Sequence, residues 1–355
     1  MKHEFDTIEF LQAQCHSYPL LQPEDLLKGL HQSVFGCGHF VDEKAEEYLQ
    51  KELESLEPSD GPEVEFLAGD FCRVHLRYLN KYGLAPKTLF RLFWLSAIEP
   101  AGNAMQMEEK LEVMLRMASA EQLPVSYCDM RALVEEWRKA GYPACHHSNR
   151  FRAAYKPAYR VIQREYARLL PLFVAIDRKL AVGERVLLAV EGGAAAGKST
   201  LAQLLNHVYD CTVVHMDDFF LCPEQRTRER LEEPGGNVDR ERFLQEVLLP
   251  LHRGEMVDYR RFDCGTQRIL PARQMKPTPL TVVEGVYSMH PDLRERYNLS
   301  VFLKIDPELQ KQRICGRNAP EMQRRFFEEW IPMEDHYFDA MEVQAKCDLV
   351  LEVGL

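Results

Sequence analysis

Apolar positions three and four apart recur in Ala45–Leu56 (AEEYLQKELESL), Thr88–Ile98 (TLFRLFWLSAI) and Met107–Ala118 (MEEKLEVMLRMA), which predicts amphipathic helices. The Glu-Pro-Ser-Asp-Gly-Pro segment at residues 57–62 ends the first of these and reads as a loop. A longer helical candidate runs from Pro157 to Leu180 and stops near Gly183. From Arg185 the pattern changes to short apolar runs alternating with helical segments. The strand candidates are Val186–Val190, Thr212–His215, Leu280–Val283, Ser300–Ile305 and Leu349–Val353. This alternation predicts an α/β domain with a parallel sheet and helices on both faces. The expected organisation is a mainly α-helical N-terminal domain over residues 1–155, a connecting helix over 156–183, and the α/β domain over 184–355.

Composition changes this picture little. A chain of 355 residues suggests about two domains of ~150 residues each. With 46% hydrophobic and 28% charged residues it can bury ordinary cores. A net charge of −11 sets the average surface against nucleic acid or an anionic membrane as the main partner. No apolar run approaches the ~20 residues of a membrane helix. The N-terminal MKHEFDTIEFLQAQ carries acids where a secretory signal needs an apolar core, so a cytoplasmic location is expected. Ten cysteines without a CxxC pair fit reduced thiols better than a disulfide framework. Oligomeric state stays open.

The chemistry is concentrated in the second half. Gly192-Gly193-Ala194-Ala195-Ala196-Gly197-Lys198-Ser199-Thr200 follows the apolar run RVLLAV and opens the helical segment KSTLAQLLNHV. A GxxxxGKS loop between a strand and a helix is a cradle for nucleoside-triphosphate phosphates. Gly192 and Gly197 permit backbone conformations closed to other residues and let amide N–H groups approach phosphate oxygens. Lys198 neutralises the β- and γ-phosphates, and the Ser199 hydroxyl is a candidate Mg²⁺ ligand. The next strand candidate ends in Asp217-Asp218-Phe219-Phe220. Acids at the carboxyl end of a parallel strand lie where ligands bind, so one carboxylate can take an acceptor's proton while the other organises metal or substrate. Asp217 is preferred as base and is also a metal candidate; an acidic helix cap is the competing role for the pair. Glu284-Gly285 ends the strand LTVVEG and adds a carboxylate for Mg²⁺. Farther on, Arg313 and Arg317 are four apart on one helix face, with Arg324 and Arg325 following. Guanidinium groups on a helical lid can stabilise charge that develops in phosphoryl transfer.

In this order the motifs resemble the uridine kinase and phosphoribulokinase family of P-loop kinases. The resemblance rests on the GxxxxGKS loop, Asp-x-Phe at 217–219, Val257-Asp258-Tyr259 with Phe262, Glu284-Gly285 and the arginine-bearing segment. The closing KCDLVL, within Pro332–Leu351, is similar too. It implies a P-loop NTPase fold with a kinase-type lid and ATP with Mg²⁺ as cofactors. It further implies Asp217 as catalytic base, Ser199 and Glu284 as metal residues, and Arg313 and Arg317 on the nucleotide phosphates. Asp218, Phe220, Tyr259, Arg261 and Arg268 then fall on the acceptor side. Three departures stand out. Phe220 replaces the family's usual tyrosine, Tyr259-Arg260-Arg261-Phe262-Asp263-Cys264 lacks the histidine that helps read a pyrimidine, and EMQRR replaces Glu-Arg-Gly-x-Arg in the lid. Loss of a hydrogen-bonding group weakens discrimination for one base. Arg260, Arg261 and Asp263 could serve an anionic acceptor or pair within the protein.

The expectation is therefore phosphoryl transfer from ATP to a hydroxyl of a small metabolite, with a nucleoside as leading acceptor. The alternative is a nucleotide-dependent switch whose helical N-terminal domain engages a protein partner. The N-terminal half resembles no family. Cys37, His39, Cys145, His146 and His147 offer zinc-ligand chemistry without the spacing of a zinc module. Arg150, Arg152, Lys156, Arg160, Arg164 and Arg168 would wrap around a helix rather than line one face, as a solvated connector or as a phosphate or docking surface.

Overall fold

The computed structural model describes residues 2–36, 44–57, 63–77, 79, 83–98 and 102–354. Its internal contacts divide the chain into two units, Met1–Leu170 and Pro171–Leu355. Cys37 and His39, and most of the 57–62 loop, lie outside the described residues.

The N-terminal unit is mainly helical. Its helices are α1 (Lys2–Ser17), α2 (Pro23–Phe35), α3 (Ala45–Ser55), α4 (Pro86–Ile98), α5 (Ala104–Ser119), α6 (Tyr127–Lys139) and α7 (Asn149–Tyr155). Local chemistry sets their starts. Asn103 accepts from the Gln106 N–H at 3.1 Å while the Gln106 side chain accepts from the Asn103 N–H at 3.0 Å, a capping box at the head of α5. The Ser126 and Ser148 hydroxyls cap α6 and α7 in the same way from one side. Against these helices lies a three-stranded antiparallel sheet of β1 (Val64–Phe66), β2 (Phe71–His75) and β3 (Tyr159–Gln163).

That third strand corrects the connecting helix expected over 156–183. Residues Tyr159–Gln163 pair with β2, Arg73 opposite Val161 and Val74 opposite Arg160, and helix resumes only at Arg164–Arg168 and in α8 (Leu170–Ala181). The cause is tertiary. Tyr-Arg-Val-Ile-Gln suits a pleated surface, and pairing with β2 buries Val161 and Ile162. The unit boundary falls inside the segment that reads as one helix. The basic run does not wrap around one helix, since β3 interrupts it: the Arg160 guanidinium bonds Glu52 at 2.8 Å, and Arg164 lies 4.7 Å from the Phe66 ring centre.

The C-terminal unit holds a five-stranded parallel sheet in the order β12-β11-β4-β10-β5. Its strands are β4 (Val186–Gly192), β5 (Thr212–His215), β10 (Leu280–Glu284), β11 (Leu299–Ile305) and β12 (Leu349–Val353). These are the five strand candidates of the sequence. Central β4 and β10 are buried throughout, as expected for strands covered on both faces. Alternation sends Leu187 and Ala189 of β4 to one face, where they join Val214, Val283 and Phe302 against Phe243, Val247, Leu248 and Tyr337. Helix α9 (Lys198–Tyr209), with Leu201, Ala202 and Leu205 buried, covers sheet as well. Helix α10 (residues 240–253) carries a wide turn at Leu244–Leu248. Short hairpin strands β6 (Val257–Tyr259), β7 (Phe262–Asp263), β8 (Arg268–Ile269) and β9 (Arg273–Met275) precede β10. Helices α11 (Pro307–Arg317) and α12 (residues 320–340) follow β11. Among the described residues no helix is long and apolar enough to cross a membrane.

Candidate active site

Parallel pairing fixes the site before any side chain is considered. Glu284 at the end of β10 is in register with Val190 of β4 on one side and His215 of β5 on the other. The carboxyl ends of three strands, and the loops leaving them, therefore converge at one edge, where open α/β sheets bind ligands.

The loop from Gly192 to Lys198 leaves the centre of that edge. Gly192 adopts φ 144°, and a Cβ there would sit 2.6 Å from the Leu303 carbonyl oxygen, so close strand packing and backbone conformation both require glycine. Gly197 (φ 95°) turns the chain into α9, and Ala195 also holds a left-handed conformation at φ 61°. The N-terminus of α9 and the loop amides are donors of the kind that suit phosphate, although the Gly192, Ala194 and Ala196 N–H groups donate to Glu191, Glu334 and the Gly193 carbonyl. Lys198 Nζ donates to the carbonyls of Gly192 (2.8 Å) and Gly193 (2.9 Å), folding its charge back over the loop. Thr200 lies on the first turn of α9.

Ser199 Oγ donates to Glu284 Oε1 at 3.1 Å, and the same oxygen lies 2.5 Å from His215 Nδ1. Glu284 is buried, and its hydrogen bond and charge raise the His215 pKa. Asp217 and Asp218 follow in the short helical turn Met216–Phe219. Neither caps it through its side chain, so the acidic-cap alternative has no support in the geometry. Asp217 is open to solvent yet ringed by protein. Partial desolvation raises its pKa, Glu284 adds to the rise, and Lys198 opposes it. Asp218 is likewise raised, chiefly by desolvation, with Arg273 and Arg261 opposing. Its Oδ2 is buried without a hydrogen-bond partner and lies 3.6 Å from the Arg273 guanidinium.

The residues expected on the acceptor side divide. Phe219 is fully buried against Phe243 and Tyr259, and Phe220 bridges by backbone to Val238. Tyr259 is a core ring with an unpaired buried hydroxyl, and Arg273 lies 4.6 Å from its centre. Arg260 is taken by Glu246 through its Nε at 2.9 Å. Asp263 closes its own turn on Thr266 at 2.6 Å. Both therefore pair within the protein. Arg261 is exposed, within electrostatic reach of Asp218, and Arg268 is exposed on β8 opposite Asp263. The arginines of α11 also separate: Arg313 donates to the Ala195 carbonyl at 3.0 Å, whereas Arg317 lies 5.9 Å from the Phe326 ring, outside the loop's hydrogen-bonding circle.

Several members escaped sequence reasoning. Glu334 of α12 accepts from the Ala194 N–H at 2.8 Å, and burial raises its pKa to about 7, with Lys198 opposing. Gln310 of α11 donates to the Ala194 carbonyl at 2.9 Å. Glu191, just before the loop, is fully buried and accepts from the Gly192 and Met289 N–H groups and from Ser288 and Tyr337; burial raises it to about 7 as well. Only the charge of Glu191 inside an apolar strand run was a visible signal. Glu334, Gln310 and Arg273 depend on long-range packing.

Oxygen donors suit Mg²⁺, and Ser199 Oγ, Glu284 and Asp217 supply them. Among the described residues no group of three or more His, Cys, Asp and Glu side chains is placed to hold a metal ion. In the N-terminal unit, His147 is engaged by Asp25 at 2.9 Å and Tyr159 at 2.7 Å, and the Cys145 thiol donates to the Pro143 carbonyl at 3.7 Å.

No family model matches the chain. The chain is 30% identical to a uridine kinase of Chloroflexus aggregans over 149 residues, which cover 39% of this chain and 70% of that protein. Uridine kinase-like protein 3 of Arabidopsis thaliana is 27% identical over 153 residues, 40% of this chain. The chain spans about a third (32%) of that plant relative's length. A possible uridine kinase from Bacillus stearothermophilus, of solved structure, aligns with 53% of this chain and 98% of its own at 22% identity and a TM-score of 0.41. Through its C-terminal half, the chain belongs to the uridine kinase family.

Proposed function

We propose that the C-terminal unit transfers the γ-phosphoryl group of ATP to a hydroxyl of a small metabolite, with a nucleoside as the leading acceptor. The observation that carries this reading is the convergence of Lys198, Ser199, Glu284, His215 and Asp217 at one sheet edge. A phosphate cradle alone binds nucleotide; a carboxylate of raised pKa beside it adds a proton acceptor.

Each residue has a separable task. The loop amides and Lys198 hold the phosphate chain. Ser199 and Glu284, with Asp217 at hand, would hold Mg²⁺, which would supply positive charge against the phosphate oxygens. His215 keeps the Glu284 carboxylate oriented. Asp217 receives the proton of the acceptor hydroxyl, and its raised pKa makes it a better base than an unperturbed aspartate. Arg313, already fixed to the loop backbone, places a guanidinium where transferred charge develops. Asp218, Arg261 and Arg273 set the chemistry of the acceptor side.

The acceptor is tested by ADP release from ATP and Mg²⁺ in the presence of nucleosides, pantothenate, glycerate and sugar phosphates. Stimulation by one class identifies the acceptor. Nucleotide binding with no stimulation by any hydroxyl compound would overturn the kinase reading.

A further inference from the structure

The N-terminal unit contains a cavity of about 280 Å³ bounded by α2, α3, α4 and β3. It shares no residue with the loop site. Lys28, Gln32, Tyr48, Phe93, Tyr159 and Arg160 line it. Lys28 and Gln32 lie four positions apart, one turn apart on the same face of α2. β3 supplies Tyr159 and Arg160, and the aromatic rings come from three different elements.

The wall is held rigid from behind. Gln32 Oε1 accepts from Arg73 Nε (3.0 Å) and Nη2 (2.8 Å), while Gln32 Nε2 donates to the Tyr159 hydroxyl at 3.3 Å. Tyr159 in turn lies 2.7 Å from His147 Nε2, and His147 Nδ1 lies 2.9 Å from Asp25 Oδ1. Burial lowers the His147 pKa to about 4, so the ring is neutral at pH 7. With its Nδ1–H donated to Asp25, Nε2 can only accept, and the Tyr159 hydroxyl is the donor. Arg73, 1% exposed, also bonds Glu65 at 2.9 Å and lies 4.8 Å from the Tyr159 ring centre. A buried charge network of this kind adds little net stability over apolar packing. Its definite effect is to fix the orientation of Gln32 and Tyr159 at the cavity surface, the preorganisation that a binding site needs.

The cavity chemistry is cationic at one part and flat and apolar at another. Lys28 is 8% exposed and donates to the Cys145 carbonyl at 2.8 Å. The Arg160 guanidinium is held by Glu52 at 2.8 Å and lies 5.8 Å from the Phe93 ring centre. Tyr48 stands at the rim, 54% exposed. The volume is near the lower end, roughly 300 Å³, of small-molecule pockets, enough for a single ring bearing an acid group.

We propose that this cavity binds a small anionic metabolite with a flat apolar body, its carboxylate or phosphate held by Lys28 and Arg160 and its body against Tyr48 and Phe93. The probes are benzoate, phenyl phosphate and, as a neutral control, benzyl alcohol, titrated calorimetrically into the full chain at pH 7. Saturating ADP with Mg²⁺ is present throughout, so that the loop site does not report. At least one acid binds with a Kd on the order of 1 mM or tighter, and benzyl alcohol binds at least about tenfold more weakly. Lys28→Met weakens the acid about tenfold or more, and Tyr48→Ser weakens it severalfold. The rim position of Tyr48 keeps the test valid should Lys28→Met fail to fold. Binding of neither acid, equal binding of benzyl alcohol, or binding unchanged in Tyr48→Ser and in folded Lys28→Met overturns the proposal. A preference for benzoate or for phenyl phosphate separates carboxylate from phosphate ligands.

Discussion

Ser199 Oγ donates to Glu284 Oε1 at 3.1 Å across 85 positions of sequence. Parallel pairing of β10 with β4 favours this contact, since it sets Glu284 beside Val190, just before β4 gives way to the loop. The same carboxylate oxygen meets His215 from β5, so one buried acid joins the nucleotide loop to the strand that presents Asp217.

Glu284→Gln retains the shape and removes the charge. It is expected to lower kcat/KM by about 10²–10³, the usual effect of losing one preorganised electrostatic contact, and to raise the Mg²⁺ concentration needed for half-maximal rate. It also withdraws the charge that raises the His215 pKa. The His215 titration followed by NMR therefore moves to lower pH in the variant; an unmoved titration contradicts the coupling.

Gly192→Ala tests the loop's backbone. The added Cβ meets the Leu303 carbonyl oxygen at 2.6 Å in a conformation that alanine rarely adopts. Because the clash is backbone on backbone at the sheet centre, the variant is expected to lose on the order of 3 kcal/mol of stability or to accumulate unfolded. A denaturant midpoint within error of the parent's would be inconsistent with the packing described.

Buried carboxyls give the C-terminal unit a distinctive pH dependence. Glu191 and Glu334 have folded pKa values near 7, above the ordinary 4.5. The folded state thus binds more protons between those values, and stability falls as pH rises through that range. Buried His290 of the same unit, lowered to about 4, acts with the opposite sign between 4 and 6.5. The carboxyl effect is therefore clearest from pH 6.5 to 8, where the raised His215 acts in the same sense. Glu191→Gln is expected to flatten the decline in this window and to be the more stable protein at pH 8, by up to about 3 kcal/mol. Thermal unfolding at pH 6.5 and 8 checks it.

In the proposed reading, Arg273 and Asp218 stand on the acceptor side. The buried Asp218 Oδ2 without a hydrogen-bond partner invites a donor from the acceptor, and Arg273 lies 3.6 Å from it. Arg273→Gln is expected to raise KM for the acceptor about tenfold or more while leaving KM for ATP within about twofold. Equal changes in both constants would place Arg273 outside acceptor recognition.

The chemistry-bearing strand ends were legible in sequence because the physics that marks them is local. A fully covered strand must be an apolar run, and a phosphate loop must carry glycines and Lys198 between strand and helix. All five strands of the parallel sheet announced themselves in this way. β3 did not, because Tyr159–Gln163 becomes a strand only through its pairing with β2. Arg313 and Arg317 share a helix face, yet only Arg313 reaches the loop, since the chain beyond α11 takes Arg317 toward Phe326. Glu334 and Gln310 were invisible because contacts to Ala194 from 140 and 116 residues away leave no local pattern. His147 read as a possible metal ligand because its partners, Asp25 and Tyr159, come together only in the folded unit.

Asp217→Asn is the most direct test of the proposed chemistry. The substitution keeps size and polarity and removes the proton acceptor. ATP binding, measured calorimetrically with Mg²⁺, is expected to stay within about twofold of the parent, while acceptor-dependent ADP release falls by about 10³ or more. Acceptor-dependent release retained near the parent rate would contradict Asp217 as the base, and with it the phosphoryl-transfer site built around Glu284 and Ser199.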